Sequence, residues 1–180
     1  MNEKGTSAPG LAAELRRAFD RSFADAPRTE TREVVEILSV QVSGEAYGLR
    51  LSQIRGLYPV NRIAPLRGPI PELLGLAALR SKIVPVYALG GLLGHPSRQP
   101  PQWLAFTGAG EECVALALDR LEAHIRVAAS DISTDAGPNP GRPHVRSAAR
   151  MGERTLPLVD VPSVLEQIKR RIGAHSSREE

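Results

Sequence analysis

At 180 residues the chain is long enough for one ordinary domain, or for two small lobes sharing an interface, and leaves no room for a catalytic domain plus much else. Hydrophobic residues make up 42% and charged residues 24%, but aromatics only 4%, with 16 glycines and 15 prolines, so the core must be aliphatic and the chain must turn often. The net charge of +3 comes from scattered arginines (Arg16, Arg50, Arg67, Arg80, Arg120, Arg142, Arg154) without a basic stripe or interleaved aromatics, which argues against nucleic acid as a partner.

The first ten residues are small and polar and read as disordered. From about 11 to 24, Leu11, Leu15, Phe19 and Phe23 recur every four residues opposite Arg16, Arg17 and Asp20, one apolar stripe of an amphipathic helix. Ala26-Pro27-Arg28-Thr29 stops it, and residues 1–33 form an N-terminal extension. Met1 opens onto charged and polar residues, and no apolar run approaches the roughly 20 residues of a membrane span. The expectation is a cytoplasmic protein with no direct membrane insertion.

At Val34 the period changes to two. Leu38, Val40 and Val42 alternate with Ser39 and Gln41; Ser43-Gly44-Glu45 turns the chain; Tyr47, Leu49 and Leu51 alternate with Gly48 and Arg50. Further strands are expected at Arg62–Ala64, Leu73–Leu79, Lys82–Leu89, Trp103–Thr107, Cys113–Leu118, Ala123–Val127, Val145–Arg150 and Thr155–Val159. Short strands without helices between them indicate an antiparallel, all-β sandwich or barrel. Pro85 and Pro157 cannot donate to a ladder, so each should stand at an edge, a bulge or a strand change. Two such devices suggest two related lobes, about 34–94 and about 102–160, with His95–Pro101 as the crossover. Ser130–His144 reads as a long surface loop. A short helix over 161–172 follows Asp160, with Lys169-Arg170-Arg171 suiting its C-terminal dipole and Gly173 its cap; residues 173–180 are a disordered tail.

The sequence carries no catalytic or ligand-binding pattern. The single cysteine, Cys113, excludes an internal disulfide and reads as a small core residue. His95, His124, His144 and His175 are scattered, three of them in or near loops where a solvated role is expected, and no metal pattern forms. Thr107-Gly-Ala-Gly-Glu-Glu112 joins two strands and ends in carboxylates that would repel a phosphate, so it reads as a hairpin turn. Gly90-Gly91-Leu-Leu-Gly94 lacks the Lys-Ser/Thr of a nucleotide loop. No cofactor, no metal and no catalytic residue is expected.

One long stretch is specific. An alternating strand and turn lead into Ala46-Tyr-Gly-Leu-Arg-Leu-Ser-Gln-Ile-Arg-Gly-Leu-Tyr58; then come Arg62-Ile63, Pro69 and Pro71, and Leu74-Gly-Leu-Ala-Ala-Leu-Arg-Ser-Lys-Ile-Val-Pro-Val-Tyr-Ala-Leu89. Cys113-Val-Ala-Leu-Ala-Leu-Asp-Arg-Leu121 and Met151-Gly-Glu-Arg-Thr-Leu-Pro-Leu-Val-Asp160 follow. Over about residues 35–172 this order resembles the CheW family of chemotaxis coupling proteins. Ala78-Leu-Arg-Ser81 stands where the family has Asn-Leu-Arg-Gly, and Ala88 where it has Asp, departures that bear on the receptor contact.

The resemblance implies two five-stranded β-barrels packed on a shared core, within one CheW-like domain over 34–172. It also implies a non-catalytic adaptor between a CheA-type histidine kinase regulatory domain and the cytoplasmic tip of a chemoreceptor. By position, the receptor groove would be formed by Ile54, Leu79, Arg80, Ser81, Ala115, Ala117 and Leu121, and the kinase surface by Tyr58, Ile63, Gly75 and Leu76. Two alternatives stand beside this reading: a divergent CheW-like scaffold serving a non-motility pathway, and a small β-barrel binding nucleic acid, which requires one basic face.

Overall fold

The computed structural model describes residues 33–66, 70–79, 82–95, 99–108, 110–134 and 142–176. The expected N-terminal helix and the end of the tail lie outside the described residues, as do Arg80 and Ser81. In chain order the strands are β1 (Val34–Val42), β2 (Glu45–Arg50), β3 (Gly56–Pro59), β4 (Ala64–Pro65), β5 (Leu73–Leu79) and β6 (Lys82–Ala88). After a one-turn helix α1 (Leu89–Leu92) come β7 (Trp103–Thr107), β8 (Val114–Leu118), β9 (Arg120–Ala128), β10 (Ile132–Ser133), β11 (Val145–Met151) and β12 (Arg154–Val159). Helix α2 (Val161–Ser176) closes the described chain. No helix among the described residues is long and apolar enough to cross a membrane.

The strands form two six-stranded sheets where two sets of five were expected. Sheet I has the order β10-β11-β12-β2-β1-β9 and sheet II the order β3-β7-β8-β6-β5-β4. The additional strands are β3 and β10, which are too short to show an alternating pattern. The division of the chain also differs from the expected one: sheet II is a single block from β3 to β8, whereas sheet I takes β1 and β2 from before that block and β9 to β12 from after it. Residues 95–101 therefore connect β6 to β7 inside sheet II and are no crossover between lobes.

Local chemistry explains the turns. Ser43 and Gly44 both have positive φ, 55° and 88°, and join Val42 to its partner Glu45, the two-residue hairpin geometry that suits strand twist. Pro85 and Pro157 occupy equivalent places. Val86, the residue after Pro85, begins the parallel ladder of β6 to β8; Leu158, after Pro157, begins that of β12 to β2. Each proline lies one step before its strand gains a second neighbour, where a missing N–H leaves no bond unmade. Helix α2 runs through Gly173 to Ser176, so the cap expected at that glycine is absent.

Three apolar clusters result. One lies between the sheets, with Val40, Tyr47 and Leu49 of sheet I against Leu116 and Leu118 of sheet II, covered by Val164 and Ile168 of α2. Ala77, Val84, Val86, Leu104, Phe106, Ala115 and Ala117 form a cluster within sheet II, and Ile37, Val127, Ala149, Leu156 and Leu158 one within sheet I. Strand β8 is buried along its whole length, because Val114, Leu116 and Leu118 face the shared cluster while Ala115 and Ala117 face that of sheet II. Each fully buried Leu or Ile contributes roughly 1.5–3 kcal/mol.

Candidate docking surfaces

Among the described residues the most exposed large apolar side chain is Ile83, 73% accessible. It stands at the end of the β5–β6 hairpin opposite Ala78, which is also exposed. On a strand whose alternate residues Val84 and Val86 enter the core, Ile83 must point the other way. Beside it opens a cleft of about 480 Å³ lined by Lys82, Ile83, Val84, Pro85, Gly110 and Cys113. A second, of about 310 Å³, is lined by Arg55, Gly56, Tyr58, Leu79, Lys82, Val84, Phe106 and Cys113. Here the core of sheet II thins out, and Tyr58, Leu79 and Cys113 are only half-buried against it. The ring of Tyr58 meets Phe106 edge-on, with centroids 5.3 Å apart. Arg55 and Lys82 rim the second cleft, and no described carboxylate lines either one.

This arrangement sorts the expected groove residues. Leu79 lines the second cleft. Ile54 and Leu121 are half-buried against the shared cluster, away from Leu79, which packs on the core of sheet II. Ala115 and Ala117 are 0% and 5% exposed and are core residues with no surface to offer. The error lies in treating β8 as one-sided, when both its faces are covered. Arg80 and Ser81 join Leu79 to Lys82 in sequence and lie outside the described residues.

Among the expected kinase-facing residues, Tyr58 lies on β3, an end strand of sheet II, and falls in the same cleft as Leu79. Ile63 is half-buried against the core of sheet II. Gly75 and Leu76 do not present an open edge, because β4 pairs with them at Pro65 and Ala64. Gly75 is buried with φ at +149°, and a Cβ there would come within 2.1 Å of the Ala64 carbonyl oxygen, so the glycine permits the close approach of β4.

Two histidines expected to be solvated are instead engaged. His95 Nε2 lies 2.7 Å from the Tyr47 hydroxyl, which is also 3.1 Å from Glu45 Oε2; Arg142 reaches the same carboxylate at 3.2 Å. Burial, reinforced by that hydrogen bond and the charge of Glu45, pushes the Tyr47 phenol up to about 12, and burial raises Tyr87 as well. His144 packs on α2, within hydrogen-bonding reach of Ser163 and Gln167. His124 is exposed beside Glu36. Several of the described cations stand in separate ion pairs: Arg126 with Glu36, Arg146 with Asp160, Lys169 with Glu112, and Arg171 with Glu72. No group of three or more His, Cys, Asp or Glu suited to a metal occurs among the described residues.

Sequence reading missed Ile83, which looked like one more residue of an apolar strand. The signal available was that Ile83 and Pro85 share the face opposite Val84 and Val86. A further cleft, of about 800 Å³, lies along the first residues of β1, between Glu33–Glu36, Leu51–Ser52 and Arg126–Ala128, with Val34 exposed; no motif marks it.

Comparison with known proteins agrees with the order of these elements. The family model described as the CheW-like domain matches residues 36–169. No curated protein matches the sequence. Among solved structures, the scaffolding protein TtCheW from Thermoanaerobacter tengcongensis is similar in fold, with a TM-score of 0.64 over 74% of this chain and 89% of that one at 17% identity.

Proposed function

The chain belongs to the CheW-like domain family, and on that premise we propose that it is a non-catalytic cytoplasmic adaptor holding a CheA-type histidine kinase beside the cytoplasmic tip of a chemoreceptor. The observation that carries this reading is the exposed apolar side chain of Ile83 on β6, which lines one cleft, with a second cleft lined by Leu79 sharing Lys82, Val84 and Cys113 with it. Exposed apolar surface of this kind is stabilised when a partner covers it. A receptor tip is a helical hairpin; its apolar ridge would lie on Ile83 and Leu79, with Arg55 and Lys82 meeting carboxylates at its flank. The kinase regulatory domain would meet sheet II at the end strand β4, beside Ile63, continuing the sheet, because Tyr58 on β3 lines the cleft that the receptor would occupy. Holding both partners at once raises the effective concentration of each for the other, and no bond is made or broken.

The test is capture by purified components. Immobilised protein is offered a kinase regulatory domain and a soluble receptor signalling fragment, separately and together. Retention of both in one complex is expected; retention of neither refutes the proposal. Capture of the kinase domain alone would assign the chain to a different sensory partner.

A further inference from the structure

We infer that His144 closes a pH-sensitive latch that ties the C-terminal helix to sheet II. The residue precedes β11 and has a left-handed backbone, φ 67°, pinned by its carbonyl, which accepts the Asp160 N–H at 2.7 Å. Its Nδ1 lies 2.7 Å from Ser163 Oγ. The single hydroxyl proton of Ser163 is directed at the Asp160 carbonyl, 2.9 Å away. Ser163 therefore accepts from His144, and Nδ1 carries the hydrogen. In the neutral ring Nε2 is then an acceptor, and it faces the side-chain amide of Gln167.

The amide orientation that donates to Nε2 also brings its oxygen to 2.7 Å from Arg171 Nη2 and 3.3 Å from Arg171 Nε. Arg171 Nη1 in turn reaches Glu72 Oε1 at 2.5 Å. Ser163, Gln167 and Arg171 follow at intervals of four and so share one face of α2. Glu72 belongs to the segment entering β5 of sheet II, and its backbone carbonyl accepts the Ala88 N–H of β6 at 2.8 Å.

From Arg171 each group donates to the next, through Gln167, His144 and Ser163 to the Asp160 carbonyl, while Arg171 also donates outward to Glu72; the step from Gln167 to Nε2 requires a neutral imidazole. A proton on Nε2 sets N–H against the Gln167 N–H. Rotating the amide satisfies the imidazolium but turns the amide N–H onto the Arg171 guanidinium, so one link is lost either way. The surrounding charges do not rescue it. The Asp160 carboxylate is engaged by Arg146, Arg142 by Glu45, and Glu72, whose Oε2 is buried without a partner among the described residues, sits at the far end beyond Arg171. Acidification thus weakens the hold of α2 on the entry to β5, the strand that ends at the exposed hairpin.

The test is backbone hydrogen exchange of α2 at pH 8 and pH 5.5, corrected for intrinsic exchange, on the full chain. Protection over Lys169–Gly173 is expected to fall roughly five- to tenfold on acidification, the effect of losing one or two hydrogen bonds. Gln167→Glu supplies a carboxylate that accepts from both imidazolium and guanidinium, so protection there should rise at pH 5.5. His144→Asn, which tolerates the left-handed backbone and does not titrate, should be insensitive to pH. Equal wild-type protection at both pH values, a Gln167→Glu variant that is flat or falls, or a pH-sensitive His144→Asn variant overturns the latch; should that last variant not fold, the other two proteins decide.

Discussion

Replacing Ile83 by alanine removes the apolar group on which the proposed receptor contact turns. Covering an isoleucine side chain completely contributes roughly 1.5–3 kcal/mol. Because 73% of Ile83 is exposed and available to be covered, and alanine keeps only its first carbon, binding should weaken by about 1–2 kcal/mol, roughly 5- to 30-fold in Kd. The fold should scarcely notice, since the side chain touches solvent over most of its surface; the stability change expected is within about 0.5 kcal/mol. Titration calorimetry against a soluble receptor signalling fragment measures the first quantity and urea unfolding the second. An unchanged Kd with unchanged stability would refute the placement of the receptor on the β5–β6 hairpin. A matching loss in both would mean that Ile83 supports the fold and not the contact.

Arg80→Glu, at the position that the family resemblance assigns to the receptor groove, should weaken capture of the same receptor fragment while leaving the unfolding midpoint in place. Tyr47→Phe removes the hydroxyl shared by His95 and Glu45 and should cost about 0.5–1.5 kcal/mol at pH 7. Its alkaline behaviour is the sharper check. With the folded phenol near 12 and an unfolded tyrosine near about 10, the contribution of Tyr47 is intact below pH 10 and is lost as pH rises toward 12; urea unfolding across that window should be steeper in pH for the wild type than for the variant. Gly75→Ala forces a Cβ against the Ala64 carbonyl at a positive φ and should cost about 2 kcal/mol or more, read as a lowered Tm. Ala115→Asp places a carboxylate in the core of sheet II and should abolish the cooperative fold, seen by near-ultraviolet circular dichroism, whereas an exposed groove residue would have lost binding alone.

Much of the strand structure was legible because two-residue alternation survives in any half-buried strand. Leu73–Leu79 and Trp103–Thr107 were delimited as they occur, and the prolines correctly marked places where a strand changes neighbours. β3 and β10, of four and two residues, carry no periodicity to detect. The docking residues were less legible, since family position says where a residue falls along the chain and not which face is covered. Ala115 and Ala117 failed on that point.

What the sequence alone determined is the set of strands, their turns, their family and the aliphatic character of the core, all of which follow from local pattern and residue chemistry. Tertiary structure alone decided that β1 and β2 pair with the last strands of the chain, that β8 is covered on both sides, that Ile83 is left in water, and that His144 meets Gln167 and, through it, Arg171. Those outcomes depend on long-range pairing, and a side chain's exposure or hydrogen-bond partner is fixed only when the second sheet and the helix arrive to cover it.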